Sequence, residues 1–161
     1  MIALLLALIL LPLFPLSMLF NAGLQVLPDW LRVPALVAFP TAGAWLLNQA
    51  AAPPEQFILP LQLLAAFTAL LYAWRLLSVQ EVFIWARLQA TSAWPLVWLA
   101  WLHGLHGKTL VFVALAVTVP AAVLMVLGSS LSHRLGGAYL GLRGRIGPAF
   151  PRLTWALVVT M

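Results

Sequence analysis

The sequence predicts an all-α fold, a polytopic transmembrane helix bundle of five full spans with a short sixth helical segment. Three observations predict it. The chain is 65% hydrophobic and 7% charged, which leaves too little polar surface to cover a water-soluble globule of 161 residues. Its apolar runs approach the ~20 residues that cross a hydrocarbon core, where backbone groups must pair within the segment and helices are the natural solution. Its charges are also segregated. When the runs are threaded through a bilayer, Arg32, Arg75, Arg87, Arg134, Arg143, Arg145 and Arg152 fall on one side and Lys108 alone on the other. The polar alternation of a membrane β-barrel is absent.

The first span is expected from about Ile2 to Gln25, interrupted in character by Pro12 and Pro15. A cleaved secretory signal is the rival reading, but Met1 to Leu11 carries no charge where such a signal starts basic. Pro28, Asp29 and Arg32 form a polar turn with Trp30 at interface height, and a shorter second span follows from Val33 to Leu47 with Pro34 and Pro40 inside it. Asn48 to Gln56 is a loop, because Pro53-Pro54-Glu55 cannot continue a lipid-facing helix. The third span runs from Phe57 to Leu77 and the fourth from Val82 to Leu102. His103-Gly104-Leu105-His106-Gly107-Lys108 then interrupts the apolar pattern, and the fifth span covers Thr109 to Leu131 around Pro120. Reading residues 94–128 as one kinked helix would give roughly 52 Å, well beyond a ~30 Å core, so an outer turn is expected. Ser132 to Arg152 is a Gly- and Arg-rich loop, and Leu153 to Met161 begins the short sixth segment. The chain thus divides into 1–56, two spans and an outer loop, and 57–161, a bundle with its basic loop at 132–152.

Positive-inside bias sets the orientation. With the 132–152 loop in the cytoplasm, seven arginines lie inside against Lys108 and Glu55 outside, and the amino terminus lies outside. A bacterial cytoplasmic (inner) membrane is the expected location. The formal charge of +5 reads as topology and contact with anionic phospholipid rather than nucleic-acid binding, because the basic residues gather at one membrane face. Without cysteine, no disulfide, thiolate metal site or iron–sulfur cluster is possible, so any redox centre belongs to a neighbour.

His103, His106 and Lys108 resemble a proton-handling cluster, since two groups titrate near neutrality and burial lowers an amine. The plainer reading is a wet polar cap at the outer interface, and two histidines with no carboxylate beside them make a poor metal site. Glu81 is a further proton-transfer candidate, although a snorkelling pair with Arg75 explains it more simply. Trp94, Trp98 and Trp101 share one helix face, as an aromatic belt or a packing stripe. Arg134, Arg143, Arg145 and Arg152 are candidates for contact with lipid phosphate or a partner's acidic surface, or form a merely topogenic loop. Ala65, Ala66, Ala69, Ala121 and Ala122 are small enough for close helix packing. No nucleophile with an adjacent base, no phosphate loop and no carboxylate pair appears, which speaks against a freestanding enzyme.

The block from Leu64 to Leu71, followed by Val79-Gln80 and Ala90-Thr91-Ser92, resembles a segment of the antiporter-like proton-pumping subunits of respiratory complex I, cation/proton antiporters and membrane hydrogenases. Val119 to Arg134 is similar to that family's next span and its exit, and Leu135-Gly136-Gly137 with Pro151-Arg152-Leu153 resembles its Gly-Gly loop and following helix. The resemblance covers residues 57–161. It implies a helix bundle in an energy-converting assembly. The departures imply a damaged proton path: Ile84 and Trp85 stand where the family has a basic pair, and Pro120, Ala121 and Ala122 where it has a buried His and Lys. A competing register, matching Lys108-Thr109-Leu110-Val111-Phe112 to the family's Lys-Ala-Leu-Leu-Phe, would keep the lysine but breaks the match at Gly136-Gly137. Family members pair two inverted repeats, more than this chain holds.

The expected function is therefore a small integral membrane subunit of a larger multi-subunit complex, mainly structural, with a degenerate proton path. Two alternatives are an active proton- or cation-translocating subunit and an accessory subunit contacting pigment, quinone or lipid in a photosynthetic or respiratory assembly. Expected partners are larger membrane subunits and anionic phospholipid. No cofactor is expected to be bound firmly by this chain, while lipid is, and quinone or pigment would sit in its neighbours.

Overall fold

A computed structural model of the chain describes residues 2–135, in which six helices account for the ordered backbone: α1 Ile2–Leu10, α2 Leu16–Val26, α3 Asp29–Gln49, α4 Glu55–Leu76, α5 Val82–Leu102 and α6 Lys108–Leu135. α6 runs on through Leu135, so the basic loop expected from Ser132 does not begin there; residues 136–161, with Arg143, Arg145, Arg152 and the short sixth segment, lie outside the described residues, as does the side chain of Arg134.

Local chemistry sets the boundaries. Pro28 caps α3 and Pro54 caps α4 in extended conformations, and Asp29 and Glu55 follow in the first turns, where a carboxylate meets the positive end of the helix dipole. Between α5 and α6 the chain reverses on Gly104 (φ 88°) and Gly107 (φ 68°), left-handed conformations that cost glycine nothing in sterics. α3, α4 and α6 are each long and apolar enough to cross a membrane. α3 starts four residues earlier than its expected span and keeps Pro34 and Pro40 within a continuous helix. The expected first span is two short helices, because Pro12 and Pro15 withhold the N–H groups that would carry α1 onward. α5 matches its expected limits but is not among the helices whose length and hydropathy together suit a span, and it carries Arg87, Gln89, Thr91 and Ser92 within it. Five full spans is thus met only in part.

α4 packs on α5, α5 on α6, α6 on α3 and α3 on α1, while α2 touches both α3 and α5. Leu11, at the end of α1, sits against Gly43 of α3 and receives a hydrogen bond from Trp98 near the far end of α5. Gln25, at the end of α2, lies beside Arg32 and Arg87 at the opposite end of the bundle. α2 therefore runs from the Leu11 break toward the basic end, and α1 packs on α3 before the break, the two forming one broken strut. α5 is enclosed, with Ala86, Ala90, Trp94, Val97 and Trp98 wholly buried, whereas α4 turns Leu59, Leu63, Phe67, Leu70 and Trp74 outward. In water such a face would be a liability, but in a bilayer it meets a matching solvent.

The strut depends on close approach at Gly43. A Cβ there would lie 2.8 Å from Leu11 Cγ and 3.2 Å from the Leu11 backbone nitrogen, which cannot simply rotate away. Gly43→Ala should lower the unfolding free energy in mixed micelles by about 1–3 kcal/mol through this overlap. Gly23→Ala, where a Cβ meets nothing within 4 Å, should be neutral or stabilising, and equal losses at the two positions would contradict the packing described.

Candidate functional site

Polar residues recur at four-residue intervals on three helices, Ser17, Asn21 and Gln25 on α2, Thr68 and Tyr72 on α4, and Arg87 and Thr91 on α5. The fold brings these rows together as a seam. At its end nearer the α5–α6 turn Trp98 Nε1 donates to the Leu11 carbonyl at 2.9 Å, and the Phe14 N–H donates to Thr68 Oγ1 at 3.0 Å. Those two bonds satisfy backbone groups freed where α1 and α2 part. Farther along, Tyr72 donates to Ser17 Oγ at 3.0 Å, and Asn21 Nδ2 donates to the Ser17 carbonyl at 2.9 Å. Ser17, Thr68, Tyr72 and Thr91 are fully buried, so each of these bonds replaces water that is absent.

Arg87 closes the seam at the basic end. It is 8% exposed, and Nη1 donates to the Asn21 carbonyl at 3.0 Å. The Gln25 amide, with its oxygen turned toward the guanidinium, accepts from Nη1 and Nη2 at 3.0 and 2.9 Å. Arg32 binds the end of the same helix, donating to the carbonyls of Leu27 at 2.7 Å and Gln25 at 2.9 Å. Its Nη1 also pairs with Asp29 at 2.7 Å, the one ion pair among the described residues. Both arginines line a cleft of about 360 Å³ with Gln25, Asp29, Glu81 and Ser132.

The sequence-predicted candidates fall elsewhere. His103 and His106 are exposed on the α5–α6 turn and Lys108 is exposed at the first position of α6, at the end of the bundle away from Arg32 and Arg87. Asn48 clamps that turn, donating to the Gly107 carbonyl at 2.9 Å and accepting from its N–H at 2.8 Å. Lys108 borders a shallow groove of about 410 Å³ with Trp45, Val111 and Phe112. Glu81 is exposed at the start of α5 and forms no ion pair with Arg75, whose guanidinium instead lies 6.0 Å from the Tyr72 ring centre. Ala65, Ala121 and Ala122 are buried within this chain's own core, Ala69 is half-buried and Ala66 exposed. Trp94, Trp98 and Trp101 form a buried packing stripe rather than an interfacial belt, with Trp94 edge-on to Phe20 and Trp98 edge-on to Trp101. Among the described residues, no three side chains of His, Asp or Glu converge as a metal site.

Sequence reasoning passed over the seam itself. Ser17, Asn21, Gln25, Thr68, Tyr72 and Thr91 read singly as small polar interruptions in apolar helices. The signal that finds them is their common spacing of four, which puts each row on one helix face. Comparison of the chain with protein-family models, with curated proteins and with solved structures gives no match.

The Trp98 bond can be separated from Trp98 packing. Trp98→Phe leaves the Leu11 carbonyl buried without a donor and should cost about 1–3 kcal/mol beyond the lost ring volume. The indole N–H of Trp94 has no partner, so Trp94→Phe should cost visibly less. Chemical unfolding of both variants in the same detergent compares them, and equal losses would exclude a role for the hydrogen bond.

Proposed function

We propose that this protein is a small integral membrane subunit whose role in a larger complex is structural, a descendant of an antiporter-like bundle that has lost its proton path. The observation that carries this reading is the division of polar groups in the fold. The chain has three Asp and Glu residues, and Asp29, Glu55 and Glu81 are all exposed at helix starts. His103 and His106 are exposed on a turn and Lys108 is exposed at the start of α6. Among the described residues, the buried polar groups are hydroxyls, amides, indoles and one guanidinium, and bonds among them and to the backbone hold helices to one another. A proton route through hydrocarbon needs groups that take up and release protons along its length, and an arginine does not release one.

The outward face of α4 is the natural place for a larger subunit. Ala66 and Ala73 lie two turns apart on that face, both exposed, between the large side chains of Leu63, Phe67, Leu70 and Trp74. Small residues set among large ones admit the ridge of a neighbouring helix, the arrangement by which membrane helices associate. Arg32, Arg75 and Arg87 share one end of the bundle, which fits a cytoplasmic position for that end and an outside amino terminus in a bacterial inner membrane.

The test is purification from native membranes in mild detergent. The wild-type chain should co-migrate with larger membrane subunits, and Ala66→Leu with Ala73→Leu should release it while leaving its own helix content and unfolding midpoint unchanged. A wild-type chain that purifies alone and monodisperse would overturn the subunit reading, as would a double variant retained in the complex at wild-type yield.

A further inference from the structure

We propose that the cleft beside Arg87 is a binding site for a phospholipid whose headgroup joins a phosphate to a primary ammonium. The inference rests on the membrane reading of the chain but is independent of any partner subunit. Arg87 is more than nine-tenths buried, and its partners are neutral oxygens, the Asn21 carbonyl and the Gln25 amide. Its Nε is buried without a partner, and among the described residues no carboxylate lies within ion-pairing distance of the guanidinium. The guanidinium keeps a positive charge that no carboxylate compensates, and once an anion entering the cleft displaces the exposed Gln25 amide, its forked Nη groups suit phosphate oxygens. Ser132 adds a hydroxyl on the cleft wall.

The remaining charges select the rest of the headgroup. Asp29 is already neutralised by Arg32 at 2.7 Å. Glu81 is exposed, unpaired among the described residues and on the same cleft. A simple anionic headgroup would gain Arg87 and meet repulsion from Glu81, whereas an aminophosphate places opposite charges against both.

The neighbouring surface separates a lipid from a free phosphate compound. A second cleft of about 280 Å³ shares Asp29, Phe83 and Met125 with the first and continues along α3 and α6 past Val33, Val126 and Ser129. Trp30, 74% exposed, stands at its rim, as tryptophan does at a headgroup boundary. A chamber bordered by Arg87 and Glu81 that continues into a furrow past Val33, Phe83, Met125 and Val126 between two helices fits a headgroup with an acyl chain below it. Gly128 keeps α6 close to α5 beside this furrow, since a Cβ there would meet Val82 Cγ1 at 3.1 Å.

Native mass spectrometry of the purified full chain, titrated separately with phosphatidylethanolamine, phosphatidylglycerol and phosphatidylcholine of matched acyl chains, tests the assignment. Phosphatidylethanolamine should bind most tightly, with a preference over phosphatidylglycerol of about three- to fivefold, the scale of one exposed ion pair. Glu81→Gln lies on the surface and should fold, and it should abolish that preference without weakening phosphatidylglycerol. Arg87→Lys keeps a charge but not the fork and should weaken both lipids. Equal binding of the three lipids by the wild type, an unchanged preference in Glu81→Gln, or displacement of the lipid by equimolar inorganic phosphate would each overturn the proposal. Loss of partner subunits with lipid selectivity intact would count against the structural-subunit reading alone.

Discussion

A helix that breaks inside a packed apolar interior leaves backbone N–H and C=O groups with no water to bond, at a cost of about 1–3 kcal/mol each unless they find partners, and this fold is arranged around sheltering one such break between α1 and α2. Pro12 and Pro15 end α1 and begin α2, so Leu11 and Phe14 lose the partners that a continuous helix would supply. Trp98 reaches the Leu11 carbonyl from α5, and Thr68 receives the Phe14 N–H from α4. Thr68 Oγ1 also donates to the Leu64 carbonyl at 2.7 Å, which holds the hydroxyl in place for the bond it accepts. Gly43 then lets α3 close against Leu11 from the other side. Helices far apart in sequence are committed to one another through a few groups at a single point.

From that point the polar seam runs to the basic end along Ser17, Asn21 and Gln25, with Tyr72 and Arg87 attached. Its members bond to one another along that line, while Asn21 Oδ1 and Arg87 Nε are left without a partner. Arg87 is where this order reaches the surface, with capacity left over. The structural seam and the proposed lipid cleft therefore share a residue. A headgroup seated against Arg87 would fasten the end of α2 to α5, and so stabilise the side of the break that protein contacts reach least.

Much of the architecture was legible in the sequence. The apolar runs gave α3 to α6 within a few residues, because long hydrophobic segments bounded by Pro53-Pro54, Ser78 to Gln80 and the Gly104 to Gly107 turn leave little freedom. The gathering of Arg32, Arg75 and Arg87 at one end followed from the same alternation. The division of the first span was only half visible: Pro12 and Pro15 announced a disturbance, but not that Trp98, 87 residues away from Leu11, completes it. That pairing is tertiary and leaves no local trace. Trp94, Trp98 and Trp101 show the same limit, since tryptophan at helical spacing serves an interface or a core equally well, and only the packing of α4 and α6 around α5 decides. The burial of Arg87 was missed for a related reason. An arginine six residues from a helix start ordinarily snorkels outward, and here Asn21 and Gln25 hold it in.

Amide hydrogen exchange at Phe14 in lipid nanodiscs tests the central claim most directly, because that N–H lies at the break and its acceptor is the side chain of Thr68. Protection comparable to the middle of α5, lost selectively in Thr68→Val, is the result expected if the break is closed by the chain's own side chains. Exchange at Phe14 as fast as in the 50–54 loop, in a wild-type protein whose α5 remains protected, would contradict the account.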